Sequence, residues 1–276
     1  MTEQQRIHTL LKEYGFYAKK SFGQNFLINE GIIRRIVNTM KPESFDCVIE
    51  IGPGLGSLTL PLSEKAKKLI AVDADRDMIK VLTEVMKDRP NVTLVQSDFL
   101  RFNPNPYSKA DSRLFIGNLP YNITSELLEY LLEKGFRSAG VMVQKEVADK
   151  LTYVPGKKEN CALGAFIKAS GELSLVTAVD RSSFDPSPKV DSAFVRIDLK
   201  KRIPYSLYPI YQALFKDPNK TIHNCLRQFP PYREALTVLE AAEDPLLEKR
   251  ARQLDTDTLT LLAKKIQTEQ RKAVRK

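Results

Sequence analysis

The sequence predicts an α/β protein with a parallel sheet, followed by a small C-terminal all-helical domain. Three observations carry this prediction. Short runs rich in β-branched residues alternate with segments of helical periodicity over the first half of the chain, the pattern of strands joined by right-handed crossovers. CVIEI and KLIAV are short, largely apolar runs, as expected of strands buried on both faces. From about residue 203 only helical periodicity remains.

Residues 1–45 read as helical pieces around a loop, KKSFGQNFLINE. CVIEI is the first buried strand; it breaks at Gly52-Pro53-Gly54-Leu55-Gly56, after which SLTLPLSEKA reads as a helix. KLIAV is a second strand ending in Asp73, and DMIKVLTEVM carries apolar residues at helical spacing, with Asp75 or Asp77 placed to cap it. NVTLVQSDFL is a third strand ending at Asp98, RLFIGNLPY a fourth, SELLEYLLEKGF a helix and AGVMVQKE a fifth strand. Beyond these, ELSLVTAVDRSSFDPSPKVDSAFVRIDLK reads as two strands whose connection holds Pro186 and Pro188, where no ladder hydrogen bond is lost. YSLYPIYQALFK, TIHNCLRQF, REALTVLEAAEDPLLEKRARQL and DTLTLLAKKIQ follow as helices, and QRKAVRK as a frayed basic tail.

Composition narrows the function classes. The 276 residues are 42% hydrophobic and 28% charged, the balance of a globular protein with a substantial core. No apolar run approaches the roughly 18 residues of a membrane helix, and the N-terminus has neither a secretory nor a transit pattern, so a cytoplasmic protein is expected. Cys47, Cys161 and Cys225 are far apart and read as reduced residues, not as a disulfide framework. With only His8 and His223, no His-based metal site is expected. The net charge of +9 favours a polyanionic partner.

In parallel sheets of this kind the ligand lies beyond the carboxyl ends of the strands. The polar punctuation falls there four times in succession: the glycine loop, Asp73, Asp98 and Asn118. Gly52 and Gly54 let the backbone turn tightly and approach a ligand, while the next helix offers free N–H groups. The spacing is G-x-G-x-G with Ser57 next, which departs from the dinucleotide pattern and, with no evident proton donor, argues against a nicotinamide-linked dehydrogenase. Asp73 is placed to accept from ribose hydroxyls, and Asp98 from an adenine amine or as a helix cap. The turn Asn118-Leu119-Pro120-Tyr121 suits an adenine amine as acceptor of a group. That nitrogen is a poor nucleophile because its lone pair is delocalised into the ring. The Asn118 side-chain oxygen and the Leu119 carbonyl would hold its two N–H bonds, Pro120 would stiffen the turn, and Tyr121 would stack on the base.

These features resemble S-adenosylmethionine-dependent adenine-N6 methyltransferases. KKSFGQNFLIN, EIGPGLGSLT, GNLPYNIT, MVQKEVADKL and SSFDPSPKVDSAFVRI, in this order over roughly residues 19–197, are similar to the KsgA-type small-subunit ribosomal RNA adenine dimethyltransferases. The resemblance implies a Rossmann-like class I methyltransferase sheet in residues 1–202, with residues 203–276 a helical domain contacting RNA or the ribosome. It also implies S-adenosyl-L-methionine as cofactor. The substrate would be two adjacent adenosines near the 3′ end of small-subunit rRNA in the assembling subunit. Asn25 and Leu27 match positions that close over the cofactor, Gly52 the glycine-loop contact, Asp73 the ribose acid and Asp98 the adenine-side acid. Asn118 matches the catalytic asparagine, which also borders the cofactor, and Tyr121 and Phe184 match aromatics that hold the target base.

Two departures stand out. Asp73 stands where the family often has Glu, and LFKDPNKTIHNCL has Asp217, Pro218 and His223 where many relatives carry arginines. Lys216, Lys220 and Arg227 keep some positive charge there. Lys19, Lys20, Lys145, Lys150, Lys157, Lys158 and Lys189 form a further group suited to phosphates. A related family that methylates large-subunit rRNA and confers macrolide resistance shares the fold and cofactor, but NLPY with FDPSPKVDS favours the small-subunit reading. A ribosome-assembly factor with little catalysis is the remaining alternative; a monomer is expected.

Overall fold

The computed structural model describes residues 1–18, 24–201 and 203–274. Its strands form at runs rich in β-branched residues, buried on both sides at the centre of the sheet and partly exposed at its edges. They are β1 (Phe26–Leu27), β2 (Cys47–Ile51), β3 (Leu69–Asp73), β4 (Val92–Gln96), β5 (Arg113–Asn118), β6 (Ser138–Gln144), β7 (Gly171–Val179), β8 (Phe184–Asp185) and β9 (Ser192–Leu199). Seven make one sheet in the order β4-β3-β2-β5-β6-β9-β7. The first five are parallel, and β9 runs antiparallel to β6. Strand order reverses between β2 and β5, the switch point at which such sheets bind ligands.

The helices are α1 (Glu3–Tyr14), α2 (Glu30–Met40), α3 (Thr59–Lys65), α4 (Arg76–Val85), α5 (Thr124–Lys134), α6 (Lys145–Leu151), α7 (Ala162–Ser170), α8 (Tyr208–Leu214), α9 (Ile222–Leu226), α10 (Arg233–Ala241) and α11 (Thr256–Val274). Their starts follow the capping logic of the sequence. Thr2 and Gln5 make a reciprocal capping box on α1, and Asn29 caps α2. Asp75, nearly fully buried, caps α4 by accepting from the Asp77 N–H at 3.0 Å. No helix among the described residues is long and apolar enough to cross a membrane.

Residues Met1–Ala148 and Ser174–Asp198 form one compact unit; Asp149–Leu173 and Leu199–Lys276 form another. In the first, β2 is buried along its whole length. Ile33, Ile36, Val37 and Met40 of α2 share a core with Val48, Leu69, Leu114, Ile116 and Met142 of the sheet. A second cluster joins Ile7 of α1 to Phe26, Leu55, Met78 and Val81, so α1 is tied to the glycine loop and α4. In the helical unit, the Phe166 ring of α7 meets Tyr205, Tyr208 and Tyr211 edge-on, and the Tyr211 hydroxyl bonds Thr260 at 2.8 Å.

The structure departs from the sequence reading in several places. Residues 149–173 belong to the helical unit, not to the sheet-bearing part within 1–202. The cause is α7, whose residues are buried nearly all round and packed against α8 and α11; such a helix must be enclosed by others. The loop after α1 contains β1, which pairs antiparallel with β8, so the connection holding Pro186 and Pro188 also carries a short strand. The segment 233–254 is not one helix: α10 ends at Ala241, Glu243 has φ +50°, and Asp244 with Pro245 starts a separate turn. Conversely, α11 continues through the tail to Val274. Lys19 and Lys20, expected to flank the N-terminal motif, lie outside the described residues.

Candidate active site

A cavity of about 210 Å³ opens at the carboxyl ends of β2, β3 and β5, and residues 24–27 form part of its wall. Asn25, Leu27, Gly52, Gly54, Asp73, Asp98, Asn118, Leu119 and Tyr121 all line it. The strand register explains the convergence: Ile51 pairs with Val72 on one side and with Gly117 on the other, so the residues following each strand emerge together.

The glycine loop is shaped by its backbone. Gly54 has φ +55°, and a Cβ there would meet the Phe26 ring at 3.2 Å, so only glycine fits without displacement. Its N–H donates to Asp73 Oδ2 at 3.2 Å, while the Asp75 N–H donates to Asp73 Oδ1 at 2.9 Å. The Asp73 carboxylate is therefore fixed at the end of β3, with lone pairs left for a ligand. Burial raises it to about 6 against these backbone hydrogen bonds, which act in the opposite direction. Asp98 caps the turn Phe99–Arg101, accepting from the Leu100 N–H at 3.0 Å. Capping and cavity lining thus coexist at Asp98.

Asn118 ends β5, and its Nδ2 donates to the Asn25 carbonyl at 2.9 Å. That bond sets the orientation of the amide and leaves Oδ1 as an acceptor. Two residues on, Pro120 has φ −59° and leads into the single turn Tyr121–Ile123. The Thr124 hydroxyl donates to the Pro120 carbonyl at 3.1 Å, and the Tyr121 hydroxyl meets Ser192 Oγ at 2.5 Å.

Phe184 does not join this group. It does not line the cavity, is 3% exposed and belongs to the apolar core, paired in register with Leu27. The β1–β8 ladder holds it as a packing residue in this conformation.

Glu50 is a site residue that the sequence reading passed over. It lies inside β2, lines the cavity, is 1% exposed and has no hydrogen-bond partner at Oε2. Burial, reinforced by Asp73, raises its carboxyl to about 8. The signal was present, because an acid within the apolar run CVIEI is costly unless a ligand or the site needs it.

Positive charge is unevenly distributed. The helical unit holds 20 Lys and Arg against 12 Asp and Glu; the sheet-bearing unit holds 23 against 22. The segment 214–226, read as poor in arginine, receives two from elsewhere in its own unit. Arg250 Nε donates to the Asn219 carbonyl at 2.8 Å, and Arg252 binds the carbonyls of Pro218 at 2.8 Å and Gly156 at 2.9 Å. Among the described residues neither arginine pairs with a carboxylate within 4.0 Å. His223 instead binds Glu240 of α10 at 2.9 Å.

A family profile described as ribosomal RNA adenine dimethylase matches residues 15–264. The chain is similar to the ribosomal RNA small subunit methyltransferase A of Bacillus mycoides, with 35% identity over 260 residues covering 87% of this chain and 89% of that protein. With the protein of the same name from Geobacillus thermodenitrificans it shares 33% identity over 253 residues, 87% of this chain and 86% of the relative. Among solved structures, a dimethyladenosine transferase from Plasmodium falciparum matches with 28% identity and a TM-score of 0.72, over 86% of this chain and 95% of that one. The 23S rRNA methyltransferase ErmE matches with 28% identity and a TM-score of 0.62, over 88% and 100% of the two chains.

Proposed function

The chain belongs to the ribosomal RNA adenine dimethylase family, and from that premise we propose that it dimethylates the N6 amines of two adjacent adenosines near the 3′ end of small-subunit rRNA, using S-adenosyl-L-methionine. The observation that carries the reading is the fixed amide of Asn118, whose Nδ2 is held by the Asn25 carbonyl while Oδ1 is left to accept.

The cavity suits the cofactor on its own chemistry. Asp73 offers a fixed acceptor for ribose hydroxyls, and Gly54 keeps the loop backbone close. The lining carries Glu50, Asp73 and Asp98 and, among the described residues, no lysine, arginine or histidine, which favours a cationic ligand over an anionic one. When bound, S-adenosylmethionine supplies a methyl group on a positively charged sulfur, already electrophilic without a metal.

Asn118 Oδ1 and the Leu119 carbonyl accept from the two N–H bonds of the target amine and favour its pyramidal form. The N6 nitrogen forms a bond to the methyl carbon as the carbon–sulfur bond breaks, and the resulting ammonium releases a proton to water. The target base leaves its stack at a cost of a few kcal/mol, and the Tyr121 ring returns about 1–3 kcal/mol by stacking. Phe184 is not given this role, because it is buried beside Leu27.

The helical unit, with its excess of Lys and Arg, is the RNA-contacting part in this reading. Arg250 and Arg252 are held by backbone carbonyls with guanidinium N–H groups to spare, an arrangement suited to phosphate oxygens.

The test is radiolabelled methyl transfer from S-adenosylmethionine to small ribosomal subunits lacking these modifications, with undermethylated large-subunit rRNA alongside. Label approaching four methyls per small subunit, recovered as dimethyladenosine, is the expected result. Label confined to large-subunit RNA, or cofactor binding with no transfer, would refute the reading in favour of a macrolide-resistance methylase or an assembly factor.

A further inference from the structure

The hydroxyl of Tyr121 meets Ser192 Oγ at 2.5 Å. The two residues differ in setting. Tyr121 stands half-buried on a single turn at the cavity; Ser192 is fully buried as the first residue of β9, paired in register with Gln144 of β6. A short turn at the site is thus tied to the sheet. Thr124 Oγ1 reaches the Pro120 carbonyl at 3.1 Å and the Tyr121 carbonyl at 3.4 Å, so the residue is held at its backbone as well as at its ring tip.

We propose that Ser192 is a positioning residue for methyl transfer, fixing the axis of the Tyr121 ring on which the target adenine stacks, and that this matters most for the second transfer. The inference rests on the functional reading above. The hydroxyl lies on the ring's own Cβ–Cζ axis. A tether there fixes the direction in which the ring points but leaves ring flips free, and a half-turn flip presents an identical face. The engaged hydroxyl serves the ring's placement, whereas the polar contacts to the base come from Asn118 and Leu119.

The asymmetry between the two transfers follows from counting N–H groups. An unmodified amine offers two, one for Asn118 Oδ1 and one for the Leu119 carbonyl. After one methylation only one remains, so the base loses a polar contact and depends more on the stacked ring. In the second step the N6 nitrogen again bonds the methyl carbon as a carbon–sulfur bond breaks, and its last proton leaves to water. Loosening the ring should therefore slow this step more than the first. A hydroxyl that only satisfies a buried partner would affect folding, and both transfers equally.

The experiment compares full-length wild type, Ser192→Ala, Tyr121→Phe and the double variant on unmodified small subunits with S-adenosylmethionine. N6-monomethyl- and N6,N6-dimethyladenosine are quantified at equal total methyl incorporation, a ratio independent of the amount of active enzyme. Each single variant is expected to raise the mono-to-dimethyl ratio about fivefold to tenfold, the scale of one hydrogen bond. The double variant should go no further, because both substitutions remove the same bond. An unchanged ratio, or effects that multiply in the double variant, would overturn the inference while dimethylation by the wild type left the functional reading standing. Wild type that methylates no adenosine would overturn both. Should Ser192→Ala fail to fold, Tyr121→Phe breaks the same bond without touching the sheet, and its ratio decides.

Discussion

Replacing Glu50 with Gln should stabilise the ligand-free protein, and by an amount set by pH. The carboxyl is 1% exposed within β2, with no partner at Oε2, and burial raises it from 4.5 to about 8. A raised acid in the folded state means that the native protein holds a proton which the unfolded chain has already lost, so stability falls as pH rises between those two values. At about 1.36 kcal/mol per pH unit, the interval corresponds to roughly 5 kcal/mol as an upper bound. Gln carries an amide that must itself be desolvated, so a gain of about 2–3 kcal/mol is the reasonable expectation. Part of the cost comes from ionised Asp73, and the gain should shrink when Asp73 is also neutralised. Urea unfolding of the two proteins at intervals from pH 4 to 9 measures this directly. The gain should be at its lowest near pH 4.5, grow to its full size by about pH 8 and stay constant above that. A gain independent of pH, or a loss at pH 9, would refute the assignment of the cost to a buried carboxylate.

Other predictions concern the cavity and the helical unit. Asn118→Ala should lower methyl transfer by two to three orders of magnitude, the scale for removing one polar contact made to a transition state, while calorimetric cofactor affinity stays largely intact; near-normal turnover would refute the mechanism. Cofactor affinity should weaken as pH falls through about 6, because protonation removes acceptor capacity at Asp73. Asp73→Asn should flatten that profile and weaken binding about tenfold to a hundredfold. Arg250→Ala and Arg252→Ala should each lower the slope of log affinity for RNA against log salt by about 1, measured by filter binding across a salt series. The same slope in both variants as in the wild type would remove these arginines from the RNA contacts.

Much of this protein was determined by local sequence. The alternation of β-branched runs with helix-period segments settles the parallel sheet, and the residue after each run settles where Gly52, Asp73 and Asn118 emerge, because a strand's direction fixes which end faces the ligand. Glycine spacing and the Asn-Leu-Pro-Tyr turn are equally local, which is why they carry the family resemblance. Five features awaited the tertiary structure. Asn118 finds the Asn25 carbonyl 93 residues away, and Tyr121 finds Ser192 71 residues away, across strand registers that periodicity does not specify. Phe184 is drawn into the core by pairing with Leu27, although its motif alone placed it on the base. Residues 149–173 join the helical unit because α7, buried nearly all round, packs against α8 and α11 far along the chain. The cost carried by Glu50 likewise depends on the layers that cover β2. Sequence determines which chemistry stands at each strand end; packing between distant segments decides which of those groups are fixed, buried or free to meet a ligand.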